Sequence, residues 1–460
     1  MTPKELVFAT MEHKPTPRAP WIPFAGAYSA RLKGYTATEF LQDEDKMVEC
    51  LLEVNKLFKP DGQCCIFDLQ IEAEILGCEL AWADNGPPSV ASHPLACDED
   101  DEPTVPCECT IPGPEDGRIP MICRAMRRVK EAVGDTTALY GLITGPLTLA
   151  SHLRGSDIFM DMYDNDEYVH DLLAYCNKVA FKMAEYFIDA GMDVIAVVDP
   201  LISQISTDHF EEFIAEPFSA LFAHIKEKGA YSSFFVCGDA TRNIEVMCKT
   251  GCNGISVDEN VNIQAAKAIT DKYNVSIGGN IPLTTVMLHG TQQDNMKYVV
   301  DLLDSFDDTT GLIVASGCDM PFGVPFENTI GCMQAEHNPD GTRVMLKDYV
   351  AVDDTADVEL PDYANLSKPL VEAFTLDPAT CAACTYMVAA SDEAKATFGD
   401  AIDYKVYKYT MKEDIARTKK MGVPNLPSLY INGELKFKSI IPSKEELEAA
   451  IRAVMGGLHL

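Results

Sequence analysis

The side chains best suited to chemistry in this chain are thiols at particular places. Cys381 and Cys384 stand three apart at the start of a predicted helix. There the helix dipole and the free backbone amides lower the pKa of the first thiol, which makes Cys381 the attacking thiolate of a dithiol pair. The same spacing can supply half of a zinc site, but the last hundred residues hold no other cysteine and only His459, so the redox reading is preferred. Cys237 and Cys318 each close an apolar, β-branched run, in YSSFFVCG and GLIVASGCD. Two such thiols can bind a metal, attack as thiolates or join as a disulfide. Cys107 and Cys109, in a Pro-rich acidic stretch, read as a loop feature, and Cys50, Cys78, Cys97, Cys123, Cys176 and Cys332 as small hydrophobes.

These groups need elements to position them. From residue 19 to about 330, short apolar runs alternate with segments of helical period. Eight strands are predicted: near Trp21 and ending at Asp68, Gly145, Asp199, Gly238, Glu259, Asn280 and Asp319. Between them lie amphipathic helices, as in Phe210, Phe213, Ile214, Phe218, Leu221 and Ile225. The expected fold is α/β, a (β/α)8 TIM barrel over residues 1–345, and its active mouth is at the C-terminal strand ends. Polar residues gather at those ends: Asp68, Asp199, Asp258, Glu259, Asn280 and Asp319. Asp199 either acts at the mouth or caps the helix that follows it.

Residues 346–365 are acidic and aperiodic and read as a linker. A smaller α/β unit is expected over 366–460. It runs from a strand (LVEAFTL) through the dithiol helix, a strand, a helix and an Asn432-Gly433 hairpin to a last helix with Ser443 as N-cap and Glu446 at its third position.

Composition narrows the function. Apolar residues make up 47% of the 460 and charged residues 23%, which suits globular domains and excludes disorder. With 37 basic against 71 acidic residues, the net charge of −34 opposes nucleic acid and anionic membrane surfaces as partners. No apolar segment approaches the roughly 18 residues a membrane span needs, and a cytoplasmic protein is expected.

The segments FDLQIEAEILGCEL, ITGPLTLA, VVDP, VCGDA, SVDE, GGNIP and SGCDMPFGVPFEN follow one another in an order that resembles the uroporphyrinogen decarboxylase superfamily, and within it the corrinoid methyltransferases of the methylcobamide:coenzyme M type. The resemblance implies a zinc that holds a thiol as thiolate, bound by a His-x-Cys motif and a late cysteine. Cys237 and Cys318 fall on the two cysteine positions, and Phe235 occupies that of the histidine. Another residue must then complete the site, or the pair works without metal; Asp239, Cys252, Asp199, Asp319, Glu72, His209 and His289 are candidates. The resemblance also implies mouth roles for Glu72, Asp258 and Asn280 on the cofactor side, although Glu72 and Glu74 can also form a solvated helix face. Residues 366–460 resemble thioredoxin and glutaredoxin-like proteins, with Pro427 in LPSL at the cis-proline position, but without the Trp and Gly-Pro around the dithiol.

Together these features imply methyl transfer from a methylated corrinoid, carried by a separate corrinoid protein, to a small thiol or related acceptor. The chain has no D-x-H-x-x-G cobalamin motif of its own. An alternative is a thiol-redox or accessory protein in which Cys381 and Cys384 reduce a Cys237–Cys318 disulfide. Porphyrinogen decarboxylation is disfavoured, because the N-terminal stretch WIPFAGAYSARLKG offers only Arg31 and Lys33 to a polycarboxylate.

Overall fold

The computed structural model describes residues 1–97, 102–350, 358–376 and 382–455. Two compact units are present, one of Met1–Ile202 with Ser206–Tyr349 and one of the chain from Val350 onward together with Ser203–Ile205.

The first unit is built on eight parallel strands: β1 (Trp21–Ile22), β2 (Gly62–Ile66), β3 (Ala138–Thr144), β4 (Val194–Val198), β5 (Tyr231–Val236), β6 (Gly254–Val257), β7 (Ser276–Ile281) and β8 (Leu312–Ser316). They hydrogen-bond in the order β1-β8-β7-β6-β5-β4-β3-β2. Sequential order with β1 paired to β8 is the circuit of a TIM barrel, as expected. The remaining seam, between β1 and β2, is joined through Asp61. Its amide donates to the Trp21 carbonyl at 2.9 Å and its carboxylate accepts the Trp21 amide at 2.8 Å. Arg18 holds this carboxylate through both terminal nitrogens, at 2.7 Å each, and also reaches Glu336 on the helix Phe326–His337.

Strands such as β4 are buried along their whole length, which explains why they read as continuous apolar runs rather than as alternating ones. The interior is filled by Ile22, Phe24, Tyr140, Val194, Ala196, Val198, Phe235 and Ala315. Outside the strands, Phe210, Phe213, Phe218, Leu221, Phe222 and Ile225 lie on the buried stripe of residues 210–227, and Phe218 stacks on Phe234 of β5 with ring centroids 4.5 Å apart. A two-stranded excursion, Leu80–Ala81 with Ser89–Val90, was not apparent from the sequence, since two-residue strands leave no periodic trace.

The second unit carries β9 (Leu370–Thr375), β10 (Asp403–Lys408), β11 (Ser428–Ile431) and β12 (Glu434–Lys438), in sheet order β10-β9-β11-β12. β9 is parallel to β10 and antiparallel to β11. Helices Ala382–Phe398 and Lys444–Met455 share a core with the sheet through Met387, Val371, Leu429, Ile431, Leu447 and Ile451. Asn432 and Gly433 both have positive φ, as a two-residue hairpin requires, and Ser443 and Glu446 form the expected capping box.

Of the acidic stretch 346–365, residues 351–357 lie outside the described residues, and the described parts on either side carry tyrosines held by different units. Tyr349 donates to Asp294 in the barrel unit at 3.0 Å. Tyr363 belongs to the small unit, where it donates to the buried Glu372 at 2.8 Å and accepts from Arg417. Among the described residues, no helix is long and apolar enough to cross a membrane.

Candidate functional site

Cys237 lies one residue beyond β5 and Cys318 two beyond β8. Three positions separate these strands around the barrel, yet the sulfurs are bonded to each other, with Cα atoms 6.3 Å apart. The bond therefore crosses the mouth over the barrel interior. Because side chains alternate along a strand, Phe235 and Cys237 share the inward face. Phe235 is fully buried and packs on Phe24 at 4.8 Å and Phe67 at 5.6 Å, giving the sulfur bridge an aromatic floor.

One side of the rim is formed by β6 and β7. Asp258 is buried and accepts from the amide of Gly238, whose φ of +95° lets the chain turn directly after Cys237. It also accepts from the Asn260 amide and side chain, at 2.9 and 3.0 Å. Asn280 donates to the carbonyls of Asp258 at 3.2 Å and Val261 at 2.8 Å, so two residues expected at the mouth come together. Glu259 accepts from the Leu283 amide at 3.3 Å, while its Oε2 is buried without a hydrogen-bond partner among the described residues. A Cβ on Gly317, the neighbour of Cys318, would meet that oxygen at 2.8 Å. Burial raises the pKa of both Asp258 and Glu259, and for Glu259 the Asp258 charge adds to it.

The other side carries Asp319. Its carboxylate accepts from the Gly26 amide at 2.8 Å, and burial together with Asp68 pushes it up to about 8. Asp68 is paired with Arg118 at 2.6 Å, and Arg118 also holds Glu74 at 2.8 Å and lies over Trp82. Arg118 escaped the sequence reading, since it stands fifty residues from Asp68 with no motif around it.

Two expected residues have structural partners instead of an open face. Glu72 is buried, not on a solvated helix face, and accepts from the amide and hydroxyl of Thr144 at 3.1 and 2.8 Å. Burial raises its pKa. Asp199 is fully buried, and burial pushes it up to about 7. It caps Pro146–Arg154, from the preceding βα unit, accepting from the amides of Leu147 and Thr148 and the Thr148 hydroxyl at 2.9, 3.1 and 2.6 Å, and it also accepts from the Leu201 amide in the helical turn Pro200–Gln204 that follows it. Gly145 permits this approach, because a Cβ there would lie 2.3 Å from the Asp199 side chain.

The implied zinc does not fit this donor set. Phe235 offers no ligand atom, and sulfurs bonded to each other are not thiolates. Cys252 is buried away under Ile244–Lys249, its thiol donating to the Met247 carbonyl. Among the described residues, one group of three ligand side chains converges within reach of a single ion: Asp61, Glu336 and His337. Arg18 already supplies the positive charge there.

In the second unit, Cys381 lies outside the described residues. Cys384 is fully buried, and its sulfur accepts from the Leu376 amide at 3.3 Å. The Leu426–Pro427 peptide is cis, and Ser428 pairs with Phe374, so Pro427 is at the same end of the sheet as Leu376.

With this geometry in view, the comparisons with known proteins are specific. Residues 2–338 match the family described as uroporphyrinogen decarboxylase (URO-D). The chain belongs to the uroporphyrinogen decarboxylase family. Residues 375–452 of this family member match a thioredoxin domain. The methylcobamide:CoM methyltransferase MtbA of Methanosarcina acetivorans is 28% identical over 310 residues, which cover 66% of this chain and 89% of that protein. A uroporphyrinogen decarboxylase of Anaeromyxobacter dehalogenans is 26% identical over 225 residues, covering 48% and 64%. A solved methyltransferase from Methanosarcina mazei shares the fold, with a TM-score of 0.66 at 22% identity over 74% of this chain and 99% of that one. In this URO-D family member, Arg31 is committed to the carbonyls of Val324 and Phe322 at 2.7 and 3.3 Å, and Lys33 to Glu53 at 2.8 Å.

Proposed function

We propose that the barrel transfers a methyl group from a methylated corrinoid, carried on a separate protein, to a small thiol bound at its mouth. The observation that carries this reading is the meeting of Cys237 and Cys318 over the barrel interior, at the strand ends where barrels of this kind do their chemistry. Relatives named methylcobamide:CoM methyltransferase that align over most of their own length support it.

In such a transfer the cobalt–carbon bond breaks with its electron pair left on cobalt, and a sulfur–carbon bond forms. The acceptor must reach the reaction as a thiolate, so its proton needs a destination. Asp319, pushed up to about 8, is matched to a thiol's own range and stands next to Cys318 at the rim. Asp258 fixes the turn after Cys237 through the Gly238 amide. No step in this account runs through zinc. Lys33 is paired with Glu53 and one Arg31 nitrogen is used on the Phe322 and Val324 carbonyls, so the N-terminal stretch offers a porphyrinogen's several carboxylates little beyond the remaining donors of Arg31.

A second reading, thiol-redox or accessory function, is favoured by the Cys237–Cys318 bond itself. The Cys381 thiolate would attack one barrel sulfur to form a mixed disulfide, and the Cys384 thiolate would resolve it. Two electrons then pass to the barrel pair, and tethering supports the exchange through an effective concentration on the order of millimolar. The two readings are compatible if the appended unit keeps the barrel pair reduced for methyl transfer.

The test uses the full chain, reduced and freed of reductant, with methylcobalamin as donor and 2-mercaptoethanol as acceptor. Thioether formation well above the protein-free rate, lost in Cys237→Ala, supports methyl transfer. An unchanged background rate overturns it, and disulfide cycling between the two pairs without thioether formation leaves the redox reading.

A further inference from the structure

The mouth chemistry leaves one pair of thiols unused. Among the described free cysteines, ten are buried and Cys97 is half-buried, whereas Cys107 and Cys109 are both exposed. They sit at the start of the turn Glu108–Thr110, with Cys107 in the capping position. The Cys109 amide donates to the Cys107 sulfur at 3.3 Å, and the Cys109 side chain stands close enough to favour the thiolate there. These contacts shift the two pKa values apart, down at Cys107 and up at Cys109.

The turn is fastened to the barrel unit and does not hang free. Thr110 and Tyr175 share a hydrogen bond of 2.7 Å, Glu108 pairs with Lys178, and Tyr186 donates to the Pro112 carbonyl at 3.0 Å. A presented nucleophile with a second thiol two residues away is the arrangement that thiol–disulfide exchange needs.

We propose that Cys107 and Cys109 form a second redox pair that reacts with small-molecule disulfides from solvent. Cys107 thiolate attacks one sulfur of the disulfide R–S–S–R, forming a mixed disulfide and releasing one thiolate RS⁻. Cys109, giving up its proton, then attacks the Cys107 sulfur, forms the Cys107–Cys109 disulfide and releases the second R–S group. The pair loses two electrons, the small molecule gains them, and one thiolate RS⁻ and one thiol RSH leave, the latter carrying the proton given up by Cys109. The proposal does not rest on methyl transfer, since the pair has its own nucleophile and its own resolving thiol.

The surroundings also select among disulfides. Besides Glu108, which Lys178 neutralises, Glu102, Glu115 and Asp116 lie close to the turn in sequence on a chain of net charge −34, so a cationic disulfide is favoured over an anionic one.

The experiment uses the full chain carrying Cys381→Ser and Cys384→Ser, reduced and freed of reductant, then treated with cystamine or with glutathione disulfide. Peptide mass mapping should find the Cys107–Cys109 disulfide formed before any buried cysteine reacts, and faster with cystamine at low salt. The further variant Cys109→Ser should accumulate a stable mixed disulfide at Cys107, because nothing is left to resolve it. Cys107→Ser should abolish both products while leaving the thermal unfolding of the barrel unchanged. Cys107 and Cys109 remaining free thiols under these conditions, or mixed disulfide persisting on Cys107 with Cys109 intact, would overturn the proposal.

Discussion

Replacing Phe235 by histidine restores the ligand type that the barrel lacks, and its consequences can be worked from the packing. Phe235 is fully buried against Phe24 and Phe67. Loss of two aromatic contacts costs about 0.5–1.5 kcal/mol each. An imidazole buried there without a partner costs a further ~1–3 kcal/mol. The metal-free variant should therefore be less stable than the parent by about 2–6 kcal/mol. Histidine at 235 shares the inward face with Cys237, so with the cysteines reduced it completes a three-ligand set. Zinc at a hundred times its dissociation constant would then return about 2.7 kcal/mol. The assay is thermal unfolding of parent and Phe235→His, reduced, with and without zinc, alongside metal content after dialysis. The expected result is negligible zinc in the parent, near one equivalent in the variant, and a zinc-dependent rise in Tm for the variant alone. Stoichiometric zinc in the parent that disappears in Cys237→Ala would mean instead that a ligand other than residue 235 completes the site.

Three further outcomes follow from other parts of the structure. Arg18→Met should destabilise the barrel by about 3–5 kcal/mol in urea unfolding, because it strands the buried carboxylates of Asp61 and Glu336 at the β1–β2 seam; a change under half a kcal/mol, the range of an ordinary surface substitution, would show that the seam does not depend on this clamp. Asp319 has its pKa raised from 3.8 to about 8, so it binds a proton more tightly folded than unfolded; the stability it contributes is complete below about pH 4 and declines as pH rises toward 8, and Asp319→Asn should flatten that decline, whereas an identical pH profile would contradict the assignment. Uroporphyrinogen offered to the protein should be recovered unchanged, since the N-terminal stretch brings only Arg31 and a Lys33 already paired with Glu53 to its several carboxylates, and release of carbon dioxide would reverse that conclusion.

The barrel was legible in the sequence because parallel strands buried on both faces leave unbroken apolar runs, and each of the eight has a counterpart in the structure. The strand-end rule also located Cys237 and Cys318 on one rim, although they lie 81 residues apart. Long-range side-chain pairing was not legible. Asp61 closing the seam, Arg118 holding Asp68, and Asp199 capping a helix from the previous βα unit all depend on which residues tertiary packing brings opposite each other, and no local spacing encodes that. The unpartnered oxygen of Glu259 is similar: the sequence shows an acidic pair after a strand, and only the packing against Gly317 distinguishes one carboxylate from the other. The segment 346–365 read as linker because its acidity hid Tyr349 and Tyr363, two aromatic anchors for different units.

The most direct test follows the fate of the methyl group as a function of the redox state of the Cys237–Cys318 pair. Full-length protein would be prepared with the pair open and with it closed and given methylcobalamin and 2-mercaptoethanol, with rates read only over the early interval in which mass mapping shows the closed pair still unreduced by the thiol. Thioether formation at least about tenfold above the protein-free rate, a barrier lowered by ~1.4 kcal/mol or more, is expected with the pair open and not with it closed. Equal rates in both states, or full activity in the Cys237→Ser, Cys318→Ser double variant, would contradict it.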